Sequence, residues 1–537
     1  MFDWNANAPA TRWESHFGDR IVRCFAKRPK TLQQLLERNV AKHGAAEAYV
    51  CEDRRLTWAE FGAEVERLAG GLAGLGIGKG DRVAMLMANR IEFVSVMFAA
   101  IRLGAIIVPL SVRAQRPEIT YMVQQSGAAV IIHENGLADR LPLAGDCPAL
   151  RHRVPMDRVS GTTSWADLID TAPVPPADLD EEDTVVILYT SGTSGRPKGA
   201  MLAHINIIHA ALHVEFAVGL TEKDRCVVPA PLNHVTGVVS TISIMLNCAG
   251  ALIIQPQFKA PLFLEAAASE RMTLAIMVPA MYNLLLLQPD FDKLDLSSWT
   301  AGVFGGSPMA ETTIAKLADR LPNLRLMNTY GATESSGVAS FMPPHLTAAH
   351  RDSAGFDLPC ARLVVMDDDG IECAPGETGE IWIGGASIAN GYWRDEAGTK
   401  ANFTAGFWHS GDLGSIDEHG LVRVVDRKKD IVNRGGLKIF TIEVEHVLCQ
   451  HEAVIEAAVV AKPDPVLGER VHAFVAVRRP GVTAQDLAAF CAPLLSDYKV
   501  PESFTITEEL LPRNPNGKVL KRDLRDTLVL TEPRNVA

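Results

Sequence analysis

Between Leu56 and Leu110 the apolar residues change their spacing repeatedly, and this alternation restricts the fold more than any other stretch of the chain. Leu56-Thr57-Trp58-Ala59-Glu60 carries a Thr-x-x-Glu capping box, after which Phe61, Val65, Leu68, Leu72 and Leu75 recur at helical spacing. Gly76 to Gly80 ends that helix; Val83 to Met87 then predicts a strand, Glu92 to Leu103 a helix, and Ala105 to Leu110 another strand. Strand, helix, strand is a βαβ unit, which calls for an α/β fold with a parallel sheet. Ala128-Ala129-Val130-Ile131-Ile132 repeats the strand pattern, and the Pro- and Asp-rich piece 171–183 connects to a further buried strand, Thr184-Val185-Val186-Ile187-Leu188.

That strand opens into Tyr189-Thr190-Ser191-Gly192-Thr193-Ser194-Gly195-Arg196-Pro197-Lys198-Gly199, where hydroxyls, glycines and cations alternate with no core-forming residue between them. Such a loop suits an anion. Glycine leaves successive N–H groups unshielded, Thr190, Ser191, Thr193 and Ser194 add donors, and Lys198 adds charge, all at a strand end where open α/β sheets place ligands. A plain Gly/Ser turn is the alternative. The spacing is not that of a P-loop, because no glycine stands five residues before a Gly-Lys-Ser/Thr triplet.

A chain of 537 residues exceeds one ordinary core and predicts at least two domains. Its net charge of −12 argues against nucleic acid or an anionic membrane as a general partner, so any phosphate site must be local. The nine cysteines include no Cys-x-x-Cys pair, which points to reduced thiols and a cytoplasmic setting. Met1-Phe2-Asp3-Trp4-Asn5 lacks the basic and apolar regions of a signal peptide, and Asn535-Val536-Ala537 is no Ser-Lys-Leu address. Val238 to Ile254 is broken by Ser240, Thr241, Ser243, Asn247 and Gly250, which suits a buried helix and strand better than a transmembrane segment.

Further polar turns follow. Pro229 to Gly237 puts His234 at a strand end before an apolar helix, a place where an isolated imidazole is commonly just packed. Leu274 to Pro279 and Ala280 to Leu287 read as strand and helix, and the strand Thr300 to Gly306 ends in Gly305-Gly306-Ser307-Pro308, which also reads as a helix start with proline in its first turn. Leu324 to Glu334 is a strand opening into Asn328-Thr329-Tyr330-Gly331-Ala332-Thr333-Glu334: a ring able to stack on a base, a hydroxyl for phosphate, and a carboxylate of the hard type that magnesium takes, although a lone Thr-Glu is usually a helix cap. Gly379 to Gly385 begins a Gly-rich strand, Trp408-His409-Ser410-Gly411-Asp412 follows, and the strand Leu421 to Val425 delivers Asp426-Arg427-Lys428-Lys429-Asp430, by composition a solvated charge run. Beyond it stand Arg434-Gly435-Gly436, a helix whose Glu443, Glu445 and His446 read as a solvated face, and Leu511-Pro512-Arg513-Asn514-Pro515-Asn516-Gly517-Lys518, a turn with a lysine at its tip, where a loop lysine ordinarily serves only solubility.

In this order, and over nearly the whole chain, the stretches resemble the signatures of the adenylate-forming superfamily: acyl-CoA synthetases, peptide-synthetase adenylation domains and beetle luciferases. The resemblance implies a large N-terminal domain of stacked mixed sheets with helices, residues 1–428, and a small mobile α+β C-terminal domain, residues 429–537. It implies that Thr190, Ser191, Gly192, Thr193, Ser194, Gly195 and Lys198 hold the phosphates of ATP, and that Gly306, Ser307, Pro308, Asn328, Thr329, Tyr330 and Gly331 receive its adenine end. Asp412 would take the ribose hydroxyls with Arg427 as companion, a bidentate acceptance that an amide does not reproduce. Thr333 would serve the α-phosphate, Glu334 would hold Mg2+, and Lys518 would be the catalytic lysine. Lys429 matches the family's hinge; Arg434, Gly435 and Gly436 would form the coenzyme A face, although Gly-Gly also suits a simple turn.

The acid pocket implied by the resemblance comprises His234 as its gate with Val238, Tyr282, Phe304, Gly305, Ala332 and Ser336. Many relatives carry an aromatic residue where Asn233 stands. The set is mostly apolar, with no evident cation for a second carboxylate, which favours a medium-chain or aryl monocarboxylate. The expected reaction is attack of that carboxylate on ATP to give acyl-adenylate and pyrophosphate, then displacement of AMP by coenzyme A. The expected partners are these small molecules, with a homodimer among the allowed assemblies. Loading of a separate carrier protein stays open as the alternative acceptor, while the absence of a Gly-x-Asp-Ser segment after Lys518 excludes a fused one. No Gly-x-Ser-x-Gly elbow marks a hydrolase.

Overall fold

The Thr57 hydroxyl accepts the Glu60 N–H at 3.2 Å while the Glu60 carboxylate accepts the Thr57 N–H at 2.8 Å, and the helix Trp58–Gly74 begins at this capping box. In the computed structural model, which describes residues 2–190, 196–307, 309–513 and 519–530, the βαβ unit follows as Arg82–Leu86, Ile91–Arg102 and Ile106–Pro109. The two strands pair in parallel with Arg82 opposite Ile106, and Val130–His133 pairs in parallel on the other side of Arg82–Leu86. All four residues of Ile106–Pro109 and of Val130–His133 are buried, as expected of strands covered by helices on both faces. Gly70 and Gly71 let the helix Trp58–Gly74 take a close neighbour: a Cβ would lie 2.0 Å from the Ala172 carbonyl at one and 2.3 Å from the Leu168 carbonyl at the other.

The sheet is completed by His152–Pro155 at one side and, beyond Ile106–Pro109, by Thr184–Thr190 and Lys198–Ala203. The last two are antiparallel, with Lys198 opposite Thr190, so the polar loop connects a hairpin. Lys-Gly-Ala-Met-Leu-Ala has no β-branched residue, and the sequence gives no sign of this second strand. A nine-stranded sheet contains Arg225–Val228, Ala251–Ile254, Leu274–Met277, Ala301–Gly305 and Arg325–Tyr330, with antiparallel strands at its two ends.

Contacts divide the chain into a unit of Met1–Val364, Trp382–Ser410 and His419–Val422 and a smaller one of Val365–Ile381, Gly411–Glu418 and Arg423–Ala537. The architecture is α/β, with a large N-terminal part of mixed sheets and helices and a smaller C-terminal part. In the smaller unit, Leu437–Ile439, Val432–Arg434, Gly468–Val477 and Val454–Asp464 form a sheet in that order, with Ser503–Thr507 added on Gly468–Val477. The helix Thr441–Leu448 does not carry the solvated acidic face that its sequence suggests. Glu445 pairs with Lys521 at 2.6 Å and accepts the Val459 N–H at 2.7 Å; Lys521 also donates to the Thr441 hydroxyl at 2.7 Å, and that hydroxyl donates to Asp426 at 2.9 Å. Burial pushes the Glu445 carboxyl above its ordinary range against the pull of Lys521. Glu443 takes Lys499 at 2.8 Å, which leaves His446 as the exposed member.

An unforeseen hairpin, Thr11–His16 with Arg20–Phe25, precedes these elements. It inverts the usual pattern: Trp13 and Ile21 are 69% and 73% exposed, whereas Glu14 turns inward to Arg28 at 2.6 Å and His16 is buried.

Three buried imidazoles on the helix His204–Val218 accept backbone N–H groups. His204 Nδ1 takes that of Leu32 at 3.2 Å, His209 Nε2 that of Phe25 at 3.2 Å, and His213 Nε2 that of Cys360 at 3.1 Å. Accepting requires the neutral ring, and burial pulls the three down to about 4, 3 and 3. Below about pH 6.5 the unfolded chain binds protons that the folded chain refuses, so stability must fall as the pH drops, by up to about 1.4 kcal/mol per pH unit for each imidazole. Urea unfolding at about pH 7 and about pH 5 measures this. Equal stability at the two values would show that the imidazoles do not govern it.

The cysteines are free, and each of the nine thiols is pushed above its ordinary range by burial, Cys24, Cys248 and Cys360 to about 12. Among the described residues no helix is long and apolar enough to cross a membrane.

Candidate active site

Parallel neighbours carry the first part of the site. Ala301–Gly305 and Arg325–Tyr330 pair with Phe304 opposite Asn328 and Gly305 opposite Thr329, so Gly305-Gly306-Ser307 and Asn328-Thr329-Tyr330-Gly331 leave the sheet side by side. A Cβ at Gly305 would lie 2.5 Å from the Thr329 carbonyl, and Gly306 has φ +78°; both glycines therefore have a local reason to be there. Asn328 donates to the Ser353 carbonyl at 2.8 Å and Thr329 to the Ser340 carbonyl at 3.0 Å.

Thr333 and Glu334 lie in the short 3-10 turn that follows. Glu334 is buried, and its Oε1 accepts from the Thr190 hydroxyl at 3.2 Å and from the Tyr392 hydroxyl at 3.0 Å. The Lys198 ammonium stands over the Tyr392 ring, 5.0 Å from its centre. Thr190 and Lys198, cross-strand partners in the hairpin, thus meet Glu334 and its tyrosine neighbour at one place. An acidic oxygen flanked by hydroxyl oxygen is a hard donor set that fits Mg2+. Sequence reasoning missed Tyr392, whose partners lie 58 and 194 positions away; its one sequence mark is a place soon after the Gly-rich strand Gly379–Gly385.

His234 caps the turn Val235–Gly237 as its first flanking residue. Its Nε2 is buried with no hydrogen-bond partner among the described residues, and burial pulls the ring down to about 4, so it is neutral near pH 7. The helix then widens to a π-turn over Val238–Ser243, where Thr241 donates to the Gly237 carbonyl and Ser243 to the Val238 carbonyl, both at 2.7 Å. Val238, Tyr282, Phe304 and Ser336 are fully or almost fully buried. The Tyr282 hydroxyl donates to Val303 at 3.1 Å and the Ser336 hydroxyl to Ser387 at 2.7 Å, so both are held by core carbonyls. Gly305 and Ala332 are half-buried.

In the smaller unit Asp412 is buried on Phe407–Ile416, and Arg427 ends the paired strand Val422–Arg427 with its Nε 3.1 Å from Asp412 Oδ1. The charge run is not simply solvated: Asp426 is buried and accepts the Thr441 hydroxyl at 2.9 Å, whereas Lys428 meets Asp368 at 2.8 Å in an exposed pair, and Lys429 lies in a turn closed by the Asp430 N–H on the Arg427 carbonyl at 2.8 Å. Gly435 and Gly436 form the two-residue tip between Val432–Arg434 and Leu437–Ile439 with φ +58° and +93°, the paired positive values that primed hairpin turns require. A Cβ at Gly436 would meet nothing within 4 Å, so it is this backbone, and not close packing, that asks for glycine. Arg434 donates to Glu502 at 2.6 Å. Ser191, Gly192, Thr193, Ser194, Gly195, Pro308 and Lys518 lie outside the described residues.

Residues 36–393 match the AMP-binding enzyme family and residues 443–518 its C-terminal domain. The chain is 35% identical over 473 residues to the feruloyl-CoA synthase of an Amycolatopsis species, covering 88% of this chain and 93% of that one. It is 32% identical over 513 residues to the long-chain-fatty-acid–CoA ligase FadD13 of Mycobacterium tuberculosis, covering 94% and 100%. The solved structure of the anthranilate CoA ligase AuaEII with anthranoyl-AMP superposes with a TM-score of 0.86 at 25% identity, over 93% of this chain and 97% of that one.

Proposed function

The chain belongs to the AMP-binding enzyme family as an AMP-forming acyl-CoA synthetase, and we propose that the acid it activates is a medium-chain fatty or aryl monocarboxylate. The observation that supports this site is the meeting of Thr190, Lys198 and the buried Glu334 carboxylate at one place. The acid class rests on the apolar character of the residues that the family resemblance groups with His234, whose neutral ring sets no charge against a hydrocarbon or aryl group; Val238 packs in one buried cluster and Tyr282 with Phe304 in another.

A carboxylate resists direct attack by a thiol, so activation precedes transfer. Its oxygen attacks the α-phosphorus of ATP and pyrophosphate leaves, with Lys198 and the hydroxyls of its loop holding the outgoing phosphates. Magnesium, when bound, supplies positive charge to the phosphate oxygens; Glu334, fixed by two hydroxyl donors, would hold it. Lys518 bridges the acid and the α-phosphate, and Thr333 donates to the latter. The protein works here through position and electrostatics, each well-aimed donor being worth about 3 to 4 kcal/mol. For the second step, residues from 429 onward turn about Lys429, Lys518 withdraws, and the Arg434-Gly435-Gly436 tip serves coenzyme A, whose sulfur displaces AMP.

Asp412 takes the ribose hydroxyls and Arg427 keeps it aligned. Asp412→Asn retains the shape and loses the charged acceptor, so ATP affinity falls by about 1.5 to 3 kcal/mol in a calorimetric titration. Unchanged affinity would put the ribose elsewhere.

The function is tested with a panel of saturated, benzoic and hydroxycinnamic acids, each assayed for pyrophosphate exchange and for AMP release with and without coenzyme A. Exchange with a medium-chain or aryl acid, and repeated AMP release in the presence of coenzyme A, are expected. A protein that ignores coenzyme A and acylates an isolated carrier protein would be a carrier-loading enzyme instead.

A further inference from the structure

We propose that Tyr392 is a positioning residue for the adenylation step, holding with its hydroxyl the carboxylate that receives the metal and with its ring face the lysine of the phosphate loop. The proposal rests on the reading of Glu334 and Lys198 given above.

Packing alone does not call for tyrosine at this position. The side chain is 5% exposed and sets its ring edge-on to Phe403, 5.6 Å between centres and 71° between planes, a contact that phenylalanine would make equally well. The hydroxyl is what phenylalanine lacks. Trp408 Nε1–H donates to it at 3.4 Å, which takes a lone pair of the phenol oxygen and directs the phenol proton onward to Glu334 Oε1 at 3.0 Å. A phenol keeps its proton near neutral pH, so the hydroxyl is a donor to the carboxylate. With Thr190 bonded to the same oxygen at 3.2 Å, the carboxylate is held from two sides.

The ring face has a separate occupant. Lys198 Nζ is 5.0 Å from the ring centre, a cation–π distance. Backbone pairing makes this contact reproducible: Ala200 bridges Tyr392, the Trp393 N–H donates to Gly199 at 2.7 Å, and the Met201 N–H donates to Gly391 at 3.0 Å. The two segments are thereby registered on one another, and a single side chain sets the directions of an anion that takes a cation and a cation that takes an anion.

Tyr392→Phe removes the hydroxyl and keeps the ring. Residues that orient a metal-binding carboxylate typically change metal affinity by about 10- to 100-fold when lost, so the Mn2+ concentration for half-occupancy of the ATP-bound protein, read by electron paramagnetic resonance without acid, should rise about tenfold or more. The Mg2+ profile of pyrophosphate exchange should move by the same factor while metal-free ATP binding stays at the parent value, and the thermal midpoint should fall by no more than about a few degrees as the Trp408 N–H loses its acceptor and Glu334 one donor. Tyr392→Leu removes the ring as well and should also weaken metal-free ATP binding through Lys198. A parent-like metal dependence in Tyr392→Phe, or a loss of rate that excess Mg2+ leaves unchanged, would overturn the proposal. Should the parent protein exchange pyrophosphate with no acid, the adenylation reading itself would fall; exchange by the parent with an unshifted Tyr392→Phe would remove the role of Tyr392 alone.

Discussion

Lys518→Ala lowers acid-dependent pyrophosphate exchange by about 10² to 10³ fold, yet leaves thioester formation from supplied acyl-adenylate near the parent rate. The two effects separate because the lysine is needed when oxygens of acid and α-phosphate crowd around phosphorus, and that charge is gone once the adenylate exists. The segment on either side of 514–518 is well anchored. The Leu511 N–H donates to Glu456 at 2.7 Å, Arg513 pairs with the same carboxylate, Arg513 bridges Val519, and the Leu520 N–H donates to the Pro512 carbonyl at 2.8 Å. Exchanging lysine for alanine between these anchors should leave the unit folded. Exchange at the parent rate would remove Lys518 from the mechanism, and loss of both half-reactions together would point to damage of the fold.

Lys429→Pro spares pyrophosphate exchange to within about threefold and slows thioester formation on the order of tenfold or more, so that bound acyl-adenylate accumulates when coenzyme A is present. Proline fixes φ near −65° and removes one N–H. Among the described residues the Lys429 N–H makes no backbone hydrogen bond, so the ring removes none; as the third residue of the turn closed by Asp430 on Arg427 it also restricts Lys428, and Lys429→Ala, which leaves that turn free, is the control. The substitution therefore acts on the freedom of the backbone to rotate. Quench-flow measurement of adenylate and thioester in one experiment decides the matter. Parallel loss of both products would mean a misfolded or misplaced hinge.

Both predictions rest on residues visible from sequence, and such residues share a property: their roles are written in neighbours. The βαβ unit was legible because a capping box, a helical period and a glycine stop follow one another within a few turns, and Thr57 and Glu60 do make their reciprocal bonds. Elements stabilised from afar stayed hidden. The N-terminal hairpin reverses the expected alternation, since Glu14 and His16 face inward to Arg28 and Glu182 while Trp13 faces out. Glu445 looked solvated because Lys521, which neutralises it, comes 76 residues later. Tyr392 escaped for the same reason: no local spacing announces a hydroxyl whose partner is Glu334. Gly435-Gly436 was visible, but positive φ alone accounts for the pair, so sequence could not tell a hairpin tip from a ligand face.

The protected sulfurs of this chain bear on the chemistry it performs. An acyl-adenylate is a strong acylating agent generated inside a protein with nine thiols of its own, and a thiolate nearby would capture the acyl group before coenzyme A arrived. Burial raises the six thiols of the interior, so near neutral pH their nucleophilic form is scarcer than that of an exposed thiol; Cys51 and Cys373 are half-buried and Cys449 lies at the surface. For the six buried thiols, Cys24, Cys147, Cys226, Cys248, Cys360 and Cys491, the packing that builds the core also keeps sulfur from a reactive acyl group, a protection that Cys449 at the surface does not share.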